Sequence, residues 1–407
     1  MPPFLFFRGE LTPGFWKTHP VPEIHAFLIA GEPSGDQLAA ELVQEWRRLA
    51  PDTRFSGAGG PAMAAVGVAL SLDLTAHSVI GLWEVIRRYA TFRRIFHQLL
   101  DQCVAARPEI VVGIDYGGFN LRFAAQLRAR AAGTGWNPRI VQWVSPQVWA
   151  SRPGRARKME LTHDLLLSIL PFEKDWYAQN APGLRVEFVG HPIVDRHAGH
   201  PIEPVPTHPP QLLLLPGSRT GELQRHLPVL LKAAEKIQAT LKIRPISGIQ
   251  PRLILPHRRL VPLARELGAG SNGAPEPEVG GLPEALRRAT LAIASTGTVT
   301  LECAWFGVPT LALYRTSWLT YEIGRRVITV KYLAMPNLLA DAPVMPEFVQ
   351  GKANPDALAG EAVDWLRSPE KRIEVRHRLR QVTRQLGTPG AAGRAAHHLL
   401  DLLRTPR

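Results

Sequence analysis

The chain has 407 residues, 45% of them hydrophobic and 20% charged, which is enough for two or three domains of ~100–200 residues each. Two cysteines, Cys103 and Cys303, are too few for a disulfide framework or an all-protein zinc site, and no window reaches the ~20 consecutive apolar residues of a spanning helix. The 48 Lys and Arg against 35 Asp and Glu leave a net charge of +13, which predicts an anionic partner without choosing among nucleic acid, lipid headgroups and phosphorylated metabolites.

Residues 1–22 read as an extension outside the fold, and their apolar run Phe4-Leu5-Phe6-Phe7 is too short for the core of a secretory signal. A cytoplasmic chain is expected. From there, short apolar runs alternate with helical patterns, as in a parallel sheet covered by helices on both faces. Strands are expected at 25–30, 109–115, 139–144, 165–170 and 186–189, then at 211–215, 252–255, 291–294 and 310–313. The polar, proline-rich stretch 200–210 between the two sets reads as a linker. The expected fold is therefore α/β, with two Rossmann-like domains facing across a cleft. The expected boundaries are 23–200 for the first, 201–385 for the second and 386–407 for a helical tail.

Ligands in such sheets bind beyond the carboxyl ends of the strands, so the strand ends carry the candidate residues. The first strand runs into Gly31-Glu-Pro-Ser-Gly-Asp36, where glycine allows close backbone approach and the following helix offers N–H groups. Ser34 and Asp36 are equally ordinary helix caps, and the segment alone leaves both readings open. Residues 79–103 place Leu82, Val85, Ile86, Tyr89, Phe92, Phe96 and Leu99 at helical spacing. Trp83, Ile95 and Leu100 widen that face, and Arg87, Arg88, Arg93 and Arg94 flank it. Such a face either packs in a core or lies in a membrane interface.

Asp115 ends the strand before Tyr116-Gly-Gly-Phe-Asn120. Its carboxylate can act as a base on a substrate hydroxyl, or it can cap the helix from Phe119. After the third strand, Arg152, Arg155, Arg157 and Lys158 form a basic run, suited to a phosphate or simply solvated. His191 has no evident partner and reads as structural. Arg219 in Pro216-Gly-Ser-Arg-Thr-Gly-Glu222 suits a diphosphate or bare solvent equally, and no Gly-Lys-Ser/Thr closes that turn into a P-loop. In Ser295-Thr-Gly-Thr-Val-Thr-Leu-Glu302, the N–H groups of residues 296–299 can receive phosphate while Glu302 accepts from ribose hydroxyls. A Ser/Thr-capped helix with a solvated glutamate is the plainer alternative.

Together these segments resemble the lipid-A-disaccharide synthase family, inverting glycosyltransferases with the two-domain architecture called GT-B. The resemblance runs in order through Gly31-Glu-Pro-Ser-Gly-Asp36, Gly59-Gly-Pro-Ala-Met63, Gly81-Leu-Trp-Glu-Val85, Gly113-Ile-Asp115, Val144-Ser-Pro-Gln-Val-Trp-Ala150, Leu170-Pro-Phe-Glu173, Phe188-Val-Gly-His-Pro192, Leu215-Pro-Gly-Ser-Arg219, Thr296-Gly-Thr298, Leu301-Glu302 and Pro336-Asn-Leu-Leu-Ala340. It implies transfer of 2,3-diacylglucosamine from its UDP donor to 2,3-diacylglucosamine 1-phosphate, giving a β(1→6) disaccharide and UDP. Alternatives are another transferase acting on a UDP-amino sugar, or a UDP-sugar epimerase.

The resemblance makes Asp115 the general base, assigns Arg219, Thr296, Gly297, Thr298 and Glu302 to the UDP side, and puts Ser34 and Asn337 near the donor sugar. It also implies work at the inner face of the cytoplasmic membrane, so the expected partners are the two lipid substrates and an anionic membrane surface. A second copy of the chain stays open, and no nucleic-acid motif accompanies the charge. No Asp-x-Asp triplet occurs in the chain, so neither metal nor cofactor is expected. The chain departs from the family's usual Asp-Ala-Pro-Asp-Phe-Asn, having Gly117 and Gly118 after Asp115, which predicts a less rigid loop. Ser151 stands where an aromatic residue is common.

Overall fold

Continuous apolar runs such as His25-Ala-Phe-Leu-Ile-Ala30 and Gln211-Leu-Leu-Leu-Leu215, buried along their whole length, belong in parallel sheets covered on both faces. The computed structural model describes residues 24–77, 89–199, 205, 207–242 and 248–406. Among them, seven strands form a first sheet: β1 (His25–Ala30), β2 (Arg54–Gly59), β3 (Ala69–Asp73), β4 (Ile110–Ile114), β5 (Arg139–Trp143), β6 (Leu165–Ser168) and β7 (Val186–Phe188), in the order β3-β2-β1-β4-β5-β6-β7. A second sheet holds six: β8 (Gln211–Leu215), β9 (Gln250–Leu255), β10 (Pro277–Val279), β11 (Ala289–Ser295), β12 (Thr310–Tyr314) and β13 (Glu347–Val349), ordered β10-β9-β8-β11-β12-β13. Their pairings, such as β1 with β4 and β8 with β11, are parallel. The α/β class with two parallel sheets is the one expected from sequence.

All nine expected strands are present, while β2, β3, β10 and β13 escaped the pattern. Three of these are sheet edges. β10 and β13 have three residues each, β3 is exposed or half-exposed throughout, and β2 reads Arg-Phe-Ser-Gly-Ala-Gly. None supplies the sustained apolar run that marks an interior strand.

The chain divides into two compact units, one of residues 1–141 with 396–407 and one of residues 142–395. This division falls at a different place from the 200–210 stretch. The core of the second unit is built on Leu212 to Leu215, Ile293, Leu311 and Leu313, with Leu227, Leu230 and Ile237 of the helix Thr220–Lys242 against them. Each such side chain contributes roughly 1.5–3 kcal/mol relative to exposure.

In the first unit, Ile95, Leu99 and Leu100 of the helix Tyr89–Ala106 are buried with Phe27, Ile29 and Phe123. Arg93 and Arg94 are exposed. Of the two readings of residues 79–103, core packing therefore holds for this described part. Leu82, Trp83, Val85, Ile86, Arg87 and Arg88 lie outside the described residues. Among the described residues, no helix is long and apolar enough to cross a membrane.

Candidate active site

Strand order reverses between β1 and β4 in the first sheet and between β8 and β11 in the second. Ligands bind beyond the strand ends at such switch points. Residues 31–36, 115–120, 216–219 and 296–298 follow these four strands, so the segments chosen from sequence stand at the two reversals.

At the first reversal, Ala30 pairs with Ile114 and the two strands end level. Asp115 and Tyr116 then take left-handed conformations, with φ of 52° and 46°, a region disfavoured for residues carrying a Cβ. The Tyr116 ring lies over Gly31, where a Cβ would come within 2.2 Å of it; the chains approach this closely only because residue 31 is glycine. Asn120 Nδ2 donates to the Asp115 carbonyl at 2.8 Å, and Ser34 Oγ donates to Asp115 Oδ2 at 3.4 Å.

Burial of this half-exposed side chain raises the carboxyl above its ordinary range, against the lowering effect of the Tyr116 amide and the Ser34 hydroxyl. A carboxylate so placed is a better proton acceptor than one in water. The N-cap position of the next helix is Tyr116, one residue beyond Asp115. Gly117 and Gly118 are not a slack loop either: they form the first turn of the helix Gly117–Ala131.

Asp36 has a structural task. Buried in the helix Pro33–Leu49, it accepts from the N–H groups of Gly60 at 2.7 Å, Ala62 at 2.8 Å and Met63 at 3.1 Å, and so caps the short helix Pro61–Ala65.

At the second reversal, residues of the second unit line a cavity of about 780 Å³, a volume typical of small-molecule sites. Gly217, Ser218 and Arg219 form one wall, with Thr296, Gly297, Thr298 and Glu302 beside them. Glu222 holds the first of these segments: its Oε2 accepts from Ser218 N at 2.9 Å and Arg219 N at 3.2 Å, while Oε1 lies 3.3 Å from Arg219 Nη1. Gly217 has φ 111°, a conformation that favours glycine, and a Cβ there would come within 2.4 Å of Glu222 Oε2, so a side chain at 217 would push this carboxylate from its place. His226, fully buried, ties the same turn to the end of β12 through Pro216 O at 2.8 Å and Arg315 N at 3.0 Å. Burial lowers the pKa of its ring.

Thr296 N–H donates to Leu313 O at 3.0 Å, which removes it from the set of N–H groups expected to meet phosphate. Gly297, Thr298 and Val299 remain, at the start of the helix Thr298–Trp305, where N–H groups lack intrahelical acceptors. Glu302 lies 3.5 Å from Arg196 Nη1; burial raises its carboxyl pKa and Arg196 opposes the rise.

The Asn337 side chain has a structural task in the fold. Fully buried, its Nδ2 donates to Met345 O at 2.7 Å and Glu347 Oε1 at 2.9 Å, and its Oδ1 accepts from Met345 N at 2.7 Å. The amide is committed to holding the helix Met335–Ala340 against β13. Asn337→Ala should destabilise the fold by at least ~2 kcal/mol, through buried partners left unpaired, while the UDP affinity of the folded fraction stays close to wild type. Denaturant titration and calorimetry measure the two quantities, and a large affinity loss at unchanged stability would return Asn337 to the ligand.

His191 is structural as expected: its Nδ1 accepts from Ile193 N at 3.1 Å, and burial lowers its pKa to about 3. Arg152 follows the turn Val148–Ser151, and Arg155, Arg157 and Lys158 lie on the helix Arg155–Thr162. Arg152, Arg157 and Lys158 are exposed, and Ser151 lines the cavity. Sequence reasoning missed Glu222, Arg196, His226 and the apolar wall of Val330, Leu333 and Leu338. For Glu222 a signal existed, since a glutamate three residues after a turn end can reach back to its N–H groups.

The family model for lipid-A-disaccharide synthetase matches residues 26–398. A relative from Myxococcus xanthus (strain DK1622) named lipid-A-disaccharide synthase is 34% identical over 391 residues, 92% of this chain and 97% of its own. The chain belongs to the lipid-A-disaccharide synthase family. It is a glycosyltransferase that makes the lipid A disaccharide.

Solved structures are more distant and bear on the fold alone. The glycotransferase of kitacinnamycin superposes with a TM-score of 0.59 at 20% identity, covering 94% of this chain and 100% of its own. UDP-GlcNAc 2-epimerase from Neisseria meningitidis, bound to UDP-GlcNAc, does so with a TM-score of 0.56 at 12% identity, covering 93% and 99%. The two-sheet architecture is that of GT-B glycosyltransferases and epimerases.

Proposed function

We propose that this synthase moves 2,3-diacylglucosamine from its UDP donor onto the 6-hydroxyl of 2,3-diacylglucosamine 1-phosphate, with inversion at the anomeric carbon. The observation that carries the site assignment is the set Arg219, Gly297 to Val299 and Glu302 around one cavity at the β8/β11 reversal. A structural neighbour that binds UDP-GlcNAc supports a nucleotide sugar there. In this reading the acceptor oxygen forms a bond to the anomeric carbon as the carbon–oxygen bond to UDP breaks. Asp115 takes the hydroxyl proton. Arg219 and the helix N–H groups carry the charge developing on the diphosphate, and Glu302 accepts from ribose. Ser34 orients Asp115. Arg152, Arg155, Arg157 and Lys158 are the proposed holders of the acceptor phosphate, supported by the position of Arg152 next to cavity-lining Ser151. Incubating the protein with the two lipid precursors should give disaccharide and UDP by mass spectrometry; absence of either product sinks the reading.

A peripheral position on the inner face of the cytoplasmic membrane belongs to the same proposal. The helix Trp318–Val327 supports it: Trp318 is 74% and Ile323 54% exposed, with Val327 and Ile328 also exposed and Arg325 and Arg326 in the last turn. An apolar face edged by arginine is the form of helices that lie in an anionic interface. Replacing Trp318 and Ile323 with serine should lower partitioning onto anionic vesicles by at least ~tenfold, with UDP affinity unchanged. Equal flotation of both proteins would remove this helix from membrane contact.

A further inference from the structure

A second cavity of about 450 Å³ adjoins the larger one, and Trp149, Val330 and Leu338 line both. Phe172, Trp176 and Asn180 line only the smaller one, and the Asn180 Nδ2 is spent on Trp176 O at 2.8 Å. No charged side chain lines it among the described residues. The shared wall is rigid: Trp149 Nε1 donates to Glu173 Oε1 at 2.8 Å, and Phe172 meets the Trp149 ring edge-on with centroids 4.9 Å apart. Thr329, next to Val330, donates through Oγ1 to Trp149 O and through N to Ala150 O, both at 2.9 Å. Glu173 is itself buried and satisfied by Ser168 Oγ at 2.7 Å as well as Trp149, and it does not line the groove.

A sugar, phosphate or nucleobase placed against Trp149, Phe172, Trp176, Val330 and Leu338 would lose hydrogen bonds to water and gain few. A hydrocarbon chain loses nothing and gains the burial. The substrates of this family are lipid-linked sugars, and the groove opens from the wall of the cavity assigned above to the nucleotide sugar. We propose that it holds an acyl chain of a lipid-sugar substrate and so measures chain length; the proposal rests on that cavity assignment. The same hydrocarbon chemistry comes from donor or acceptor, and kinetics can separate them.

The test uses the full-length enzyme with water-soluble donors and acceptors whose acyl chains are short and vary by single methylenes. For the wild type, KM of the substrate that fills the groove should fall ~fourfold per added methylene until the groove is full. Trp176→Ser should raise KM for the longer chains by at least ~tenfold, flatten that dependence, and leave kcat with the shortest chain near normal. Trp176→Phe should restore most of the slope. A slope lost in the donor series assigns the groove to the donor chain, and one lost in the acceptor series to the acceptor chain. A wild type with KM independent of chain length in both series overturns the proposal, as does a Trp176→Ser variant that keeps the full slope. UDP affinity, measured alongside, separates these failures from a misassigned nucleotide cavity: a cavity that does not bind UDP leaves Arg219→Ala without effect, whatever the acyl series gives.

Discussion

Asp115→Asn should lower kcat by at least ~100-fold, the usual scale for loss of a general base, with UDP affinity retained. Asparagine keeps the size of the side chain and a polar contact to Ser34, so the left-handed turn at Asp115 and Tyr116 should survive. What goes is the lone pair basic enough to take a proton. The pH profile tests the same assignment independently. Burial raises the Asp115 carboxyl pKa in the folded enzyme, and a base works only when deprotonated. The rate should therefore climb with pH through an acidic limb lying above the ordinary carboxylate range of ~4, and that limb should be missing from the residual activity of the variant. A folded variant turning over at near-normal rate would remove Asp115 from the chemistry. Retained rate in Ser34→Ala with the limb shifted upward would fit its hydrogen bond to the carboxylate, because that bond holds the pKa down.

Much of this was legible in the chain because the interior strands are unbroken apolar runs and the turns that carry the candidate residues follow them directly. Residues 211–215 announce β8 by five successive buried positions, and Gly217 and Arg219 come immediately after. Asn337 shows where that reasoning ends. The motif Pro336-Asn-Leu-Leu-Ala340 is one of the points of family resemblance, and the amide's bonds to Met345 and Glu347 could not be read from it, because no spacing rule names the partners of a buried amide. Residues 79–103 show a second limit. One helical stripe of apolar residues satisfies both a core and a membrane, and only the neighbours of Ile95 and Leu99 decide for the part described. The exposed face at Trp318 and Ile323 was missed because its ten-residue helix is too short for its stripe to stand out from the apolar strands before it.

On the nucleotide side, Arg219→Ala and Glu302→Ala should each weaken UDP binding by about 1.5–3 kcal/mol, roughly 10- to 150-fold, the range for a lost hydrogen bond to a charged group. EDTA should leave the rate unchanged if protein cations and N–H groups alone stabilise the leaving diphosphate. Strict dependence on added magnesium, or unaltered UDP affinity by calorimetry in both variants, would contradict the assignment. Glu222 gives the sharper discrimination because two physical effects predict opposite signs. By charge alone, a carboxylate beside Arg219 repels a diphosphate and weakens the guanidinium's field, so Glu222→Ala should tighten UDP. By geometry, Glu222 Oε2 accepts from the N–H groups of Ser218 and Arg219 and fits against Gly217, so its removal frees the turn that aims Arg219. Charge–charge interaction between exposed groups is worth ~1 kcal/mol or less, whereas loosening a preorganised binding turn costs about that much for each side chain that must be ordered again on binding. The geometric effect should win, and UDP affinity in Glu222→Ala should fall, more steeply than in Glu222→Gln, whose amide oxygen can take the place of Oε2 and still accept from both N–H groups.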